Sequence, residues 1–112
     1  MKLGLVLDGI PVRALGADLL ALEVSGLEYD SRRIRPGNLF FAFSGARADG
    51  RQFAAQAIER GAAAVVSELE PLVGFEGPWI QTPHGRKALA IACRNFFGPP
   101  ERDLRLTGVT GT

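Results

Sequence analysis

At 112 residues the chain has room for one hydrophobic core but not for two domains of ordinary size. Hydrophobic residues make up 46% and charged residues 22%, the balance of a folded globular protein and not of a disordered one. A net charge of +1 gives no electrostatic grip on nucleic acid or an anionic membrane, so neither is an expected partner.

No apolar run approaches the roughly 18 residues that a membrane-spanning helix needs. The opening MKLGLVLDGIPVRALGAD lacks the apolar stretch of a secretory signal, which points to a cytoplasmic protein without a targeting segment. A single cysteine, Cys93, excludes an internal disulfide, and with His84 as the only histidine there is no zinc-ligand pattern.

In chain order, LGLVLDG (3–9) reads as either a short helix or a strand, closed by Gly9-Ile10-Pro11. Leu20, Leu22 and Val24 alternate with Ala21 and Glu23, as in a half-buried strand. LEYDSRRIRPGN (27–38) is an extended piece running into a turn at Pro36-Gly37, and Leu39–Ser44 is apolar on both faces, which suits an interior strand. Asp49 with Gln52 predicts a capped helix start, with Phe53, Ala54, Ala57 and Ile58 as its buried stripe and Gly61 at its end. AAAVVS (62–67) is a second buried strand, so 39–67 reads as a right-handed βαβ unit.

Pro78–Thr82 is a further strand, and Thr82-Pro83 predicts the start of a helix striped by Leu89, Ala92, Cys93 and Phe96. Gly98-Pro99-Pro100 ends that helix, and LRLTGVTGT (104–112) reads as a strand entering a glycine turn. The expected fold class is therefore α/β: a single small domain with a mixed or mostly parallel sheet flanked by helices. It would occupy residues 1–100, with 101–112 as a linker and the first strand of another domain.

The chemistry points to binding. Arg32, Arg33, Arg35, Arg47 and Arg51 form either a solvated face or a site for a small anion, and composition leaves both open. In open α/β sheets ligands sit beyond the carboxyl ends of strands, which favours the loop SGARADG (44–50). Gly45, Ala46, Ala48 and Gly50 would let a planar ring or a diphosphate approach the backbone, while Ser31 offers a hydroxyl and Arg47 a cation. DSRRIRPGN (30–38) lies at the other end of the interior strand unless the piece before Arg32 runs alongside it.

The closing TGT has only the opening of a phosphate loop, without its lysine. No nucleophile faces a base, and no carboxylates pair. His84 has no carboxylate partner in sequence, Cys93 reads as a buried inert thiol, and Trp79 and Phe97 read as core or helix-edge residues.

YDSRRIRPGNLFFAFSGARADGRQFAAQAIERGAAAVVSE (29–68) closely resembles the N-terminal signature of the Mur ligases, and LTGVTGT (106–112) resembles the opening of that family's ATP loop. Within the family, DSR and GVTGT look most like the MurE type, which adds the third amino acid. The MurF type, adding D-Ala-D-Ala, shares the PG-x-LF and DG motifs and is the alternative; a non-catalytic α/β interaction module is a further one.

The resemblance implies a three-domain cytoplasmic enzyme of peptidoglycan synthesis. Such an enzyme uses ATP and Mg²⁺ to activate the D-glutamyl carboxylate of UDP-N-acetylmuramoyl-L-Ala-D-Glu as an acyl phosphate. The amine of meso-diaminopimelate or L-lysine then attacks. The N-terminal domain holds the uridine diphosphate end of the substrate.

Residue by residue, Tyr29 and Ser31 align with UDP contacts around the DSR motif. Ala46, Arg47 and Ala48 align with the stretch bordering the uracil, where many relatives have His-Gln in place of Ala46-Arg47. Gly111 and Thr112 align with the start of the ATP loop. The loop lysine, the magnesium ligands and the amino-acid pocket would fall beyond this chain, so by itself it is expected to be an inactive monomer with no ATP or metal bound.

Overall fold

Asn38–Phe41 is buried at every position, and the sheet is assembled around it. The computed structural model describes residues 1–13, 16–43 and 50–98. Among these, β1 (Gly26–Glu28), β2 (Asn38–Phe41), β3 (Ala64–Ser67) and β4 (Trp79–Gln81) form one four-stranded sheet in the order β1-β2-β3-β4. Every pairing is parallel, with Leu27 beside Leu39, Leu39 beside Ala64 and Val66 beside Ile80. The "mixed or mostly parallel" expectation thus resolves to a wholly parallel sheet among the described strands.

Side chains alternate across a strand, so the strands feed two cores. Leu39, Phe41, Ala64, Val66 and Ile80 pack with Leu3, Val6, Val24, Ala88 and Ala92 on one face. Phe40, Ala42 and Val65 pack with Ile34, Ala54 and Ala57 on the other. The helices that cover them are α1 (Leu3–Val6), α2 (Ala17–Leu20), α3 (Ala54–Glu59) and α4 (Gly85–Phe97), with 3₁₀ turns at Ser31–Arg33 and Gly50–Phe53.

One turn of helix is marginal in water, so α1 needs tertiary support. Leu3 and Val6 are fully buried, and Asn95 of α4 donates from Nδ2 to the Val6 and Asp8 carbonyls at 2.9 and 2.8 Å. These bonds satisfy carbonyls that a helix C-terminus leaves without partners.

Several elements depart from the sequence reading. Of LGLVLDG, Leu3–Val6 resolves as helix and the rest as turn. The strand expected over Leu20–Val24 is absent: Leu20 ends α2, and Leu22 to Val24 instead meet the N-terminus through Leu3 N to Leu22 O, Val24 N to Met1 O and a Lys2–Glu23 antiparallel bridge. The alternation is real, but it reflects this short contact and not a strand of the sheet.

Phe53, assigned to the buried stripe of α3, is 40% exposed because it closes the 3₁₀ turn and so lies out of phase with Ala54 and Ala57. Asp49, the expected cap, lies outside the described residues. The final helix starts at Gly85, later than Thr82-Pro83 suggests, because the Thr82 N–H extends the sheet ladder to Ser67 O. Its buried stripe is Gly85, Ala88 and Ala92, with Cys93 only partly buried beside it. The segment 101–112, with the expected last strand, also lies outside the described residues.

Two glycines are fixed by close approach. Gly61 ends α3 at φ +104°, and a Cβ there would sit 2.8 Å from Pro36 Cα. Gly50 packs on the exit of β2, where a Cβ would run into the Phe43 carbonyl oxygen and lie 2.8 Å from the Ala42 carbonyl carbon. Since backbone cannot yield as a flexible side chain does, Gly50→Ala should destabilise the fold by about 1–3 kcal/mol. Guanidinium unfolding of the two proteins measures this, and an unchanged midpoint would contradict the packing described.

Candidate functional site

In a parallel sheet all carboxyl ends emerge on one edge. That edge gathers Tyr29 to Ser31 after β1, Ala42 and Phe43 after β2, Glu68 after β3, and Thr82 to Arg86 after β4. The question of which end the DSR segment occupies is therefore settled by the Gly26–Asn38 register, which runs β1 alongside β2. Tyr29 and Ser31 come to the same edge as the residues leaving β2.

The DSR segment is shaped by its own charges. Asp30 caps the 3₁₀ turn, its Oδ1 accepting from Arg32 N at 2.9 Å. The Arg32 guanidinium returns to the same carboxylate, with Nε to Oδ1 at 3.1 Å and Nη2 to Oδ2 at 3.0 Å. The side-chain bonds from Arg32, helped by its backbone N–H, hold the Asp30 carboxyl down at about 2, against an ordinary 3.8. Asp30 in turn raises Arg32. Just before the turn, Glu28 Oε2 accepts from both the Tyr29 and Asp30 N–H groups at 3.1 Å. This turn leaves Tyr29 65% exposed and buries Ser31 to 8% exposure.

Among the described residues, the arginines of the cluster are not engaged alike. Arg32 is paired with Asp30, and Arg51 Nη1 donates to Glu70 O at 2.8 Å. Arg33 and Arg35 are exposed, and Arg47 lies outside the described residues. So do Ala46, Ala48, Gly111 and Thr112.

Beside Tyr29 opens a cleft of about 420 Å³ lined by Ala42, Phe43, Glu68, His84, Arg86 and Lys87. Its aromatic wall is Phe43, whose ring centroid is 6.2 Å from Tyr29 and 6.3 Å from Phe41. Arg86 lies over the Phe43 ring with Cζ 4.6 Å from the centroid. Glu68 Oε2 accepts from Gly85 N at 2.6 Å, so a carboxylate from the end of β3 serves the first N–H of α4 and faces the positive end of its dipole. His84 stands at the cap position without a side-chain bond to the helix.

The sequence reading placed Phe43 only within a strand, set His84 aside, and did not single out Glu68, Arg86 or Lys87. The available signal was position: each follows the carboxyl end of a strand. Cys93, expected to be buried, is only partly so, and burial raises its thiol. Among the described residues no group of three or more His, Cys, Asp and Glu could hold a metal, and no helix is long and apolar enough to cross a membrane.

A carboxyl lowered by folding stabilises the fold above its unfolded value and loses that contribution as pH falls through its folded value. Asp30→Asn should therefore unfold at a lower temperature than the parent near neutrality. The gap should close as pH drops from about 4 toward about 2, the window of the Asp30 shift. Thermal melts across that range measure it; a gap independent of pH would mean the ion pair contributes nothing.

Known proteins place this architecture. Residues 23–97 match the "Mur ligase family, catalytic domain". The chain is 54% identical over 113 residues to the UDP-N-acetylmuramoyl-L-alanyl-D-glutamate--2,6-diaminopimelate ligase of Solibacter usitatus (strain Ellin6076), covering 100% of this chain and 23% of that protein. It is 46% identical over 91 residues to the UDP-N-acetylmuramyl-tripeptide synthetase of Roseiflexus sp. (strain RS-1), covering 80% of this chain and 18% of that one. The crystal structure of MurF ligase from Thermotoga maritima in complex with ADP shares the fold at a TM-score of 0.55 and 24% identity, over 75% of this chain and 18% of the ligase. The chain thus spans about a fifth of the length of these curated relatives, 23% and 18% in the two cases. With residues 23–97 matching that family and 54% identity to one of its ligases over the whole chain, this chain belongs to the Mur ligase family.

Proposed function

We propose that this chain is the UDP-substrate-binding domain of a cytoplasmic ligase of the MurE type. The whole enzyme would join meso-diaminopimelate or L-lysine to UDP-N-acetylmuramoyl-L-Ala-D-Glu with ATP and Mg²⁺. The observation that carries this reading is the convergence of Tyr29, Ser31 and the Phe43 cleft on one sheet edge, in a chain whose full length aligns at 54% identity with a diaminopimelate ligase. The MurF alternative has weaker support, since the MurF likeness is one of fold.

The chemistry of the described residues fits a binder. No nucleophile is paired with a base among them; the cleft offers the Phe43 ring and two cations, and Tyr29 and the Ser31 hydroxyl share its sheet edge. Binding a remote handle contributes to catalysis by orienting the reacting end of the substrate, which here would lie in another domain. ATP and Mg²⁺ would belong to the loop that Gly111 and Thr112 begin, and no step through them is derived from the described residues. The exposed Leu69, Leu72 and Val73 are the one observation favouring a protein-interaction module, and they lie on the loop after β3, away from the DSR turn in sequence.

Calorimetric titration of the 112-residue chain with UDP and with UDP-N-acetylmuramoyl dipeptide tests the reading. Binding is expected, weak in the absence of other domains, with no ATP hydrolysis. Ser31→Ala should weaken UDP roughly 5- to 10-fold, the effect of one hydrogen bond of about 1 kcal/mol. No heat of binding at millimolar UDP would sink the proposal for this chain.

A further inference from the structure

Arg86 enters the cleft from the first turn of α4 and lies over Phe43 at 4.6 Å. A guanidinium over an aromatic face keeps its in-plane N–H donors available to another partner. Among the described residues none takes them: the ion pairs there join Met1 to Glu23 and Arg32 to Asp30. Glu68, the carboxylate of the described cleft wall, bonds with the Gly85 N–H instead. Lys87 adds a second cation to the same wall. The positive end of α4 already has its anion in Glu68, so the unmatched charge of the cleft resides on these side chains.

The direction of the site follows. Tyr29, Phe43 and Arg86 form a row in the order of the strands they follow, β1, β2 and β4, with the Tyr29 ring 6.2 Å and the Arg86 Cζ 4.6 Å from the Phe43 centroid. One end of the row is apolar and hydroxyl-bearing, through Tyr29 and the nearby Ser31. The other end is cationic. A ligand with a planar head and an anionic tail matches that polarity in one orientation only.

We propose that Arg86, held over Phe43 and flanked by Lys87, is the positioning residue for the diphosphate of the bound nucleotide. The nucleotide then lies across the carboxyl edge of the sheet, with its base toward Tyr29 and Ser31 and its phosphates toward α4. This assignment rests on the nucleotide-binding reading above. Arginine suits the task because its fork of donors can bond two phosphate oxygens at once, which lysine cannot do.

Titration of the chain and its variants with UDP, uridine and inorganic pyrophosphate tests the assignment. Arg86→Ala should raise the Kd for UDP about 10- to 100-fold, as expected for losing hydrogen bonds to a charged group. It should leave uridine within about 2-fold, abolish competition by pyrophosphate and flatten the salt dependence of UDP binding. Arg86→Lys should recover part of the UDP affinity. Equal weakening of uridine and UDP would overturn the assignment in favour of support for the base or for Phe43. Unchanged UDP affinity in Arg86→Ala would overturn it outright. Failure of the parent chain to bind UDP would instead overturn the nucleotide-site reading, and this assignment with it.

Discussion

β2 has no solvent face. Leu39 and Phe41 point into one core and Phe40 and Ala42 into the other, so the strand is stable only if both sides of the sheet are covered. Parallel pairing meets that demand, because each return to the starting edge carries the chain across a face. The connection through α3 closes one side, and α1 with α4 closes the other. Small residues set how closely those helices approach: Ala54 and Ala57 on α3, Gly85, Ala88 and Ala92 on α4. From the same constraint comes the site, since parallel strands must deliver their carboxyl ends to one edge.

Charge organises that edge in two local arrangements. Asp30 turns the chain after β1 and holds Arg32 against it, which removes from the arginine cluster its most prominent candidate for anion binding. Glu68 reaches from β3 to the start of α4 and fixes the helix that carries Arg86. Both carboxylates accept from backbone N–H groups, so each satisfies main chain while fixing the turn or helix that carries an arginine. Arg86 differs from Arg32 in having an aromatic surface beneath it instead of a carboxylate beside it.

Much of this is legible in the sequence. Leu39–Ser44 read as an interior strand because it is apolar on both faces, and β2 lies there with its end at Phe41; Gly61 read as a helix end because glycine tolerates the positive φ found there. The forty-residue stretch from Tyr29 carried the family. Two of the errors fall where a short local pattern was overruled by a distant partner, while Phe53 was misplaced by a local 3₁₀ turn that shifts its phase. The Leu20–Val24 alternation belongs to a contact with Met1 and Leu3, and Thr82-Pro83 yielded the helix start to Gly85 because Thr82 is held in the ladder by Ser67.

By itself the sequence determined the family, the α/β class and the three strands β2, β3 and β4, because these depend on apolar periodicity, turn residues and ordered motifs within one stretch of chain. Only the tertiary structure decided that the DSR turn shares an edge with the exit of β2, that Glu68 caps α4 and that Arg86 lies over Phe43. Those facts depend on strand register and helix placement, which bring together residues 17 positions apart in the Glu68–Gly85 bond. Such contacts leave no periodic trace in the residues that make them.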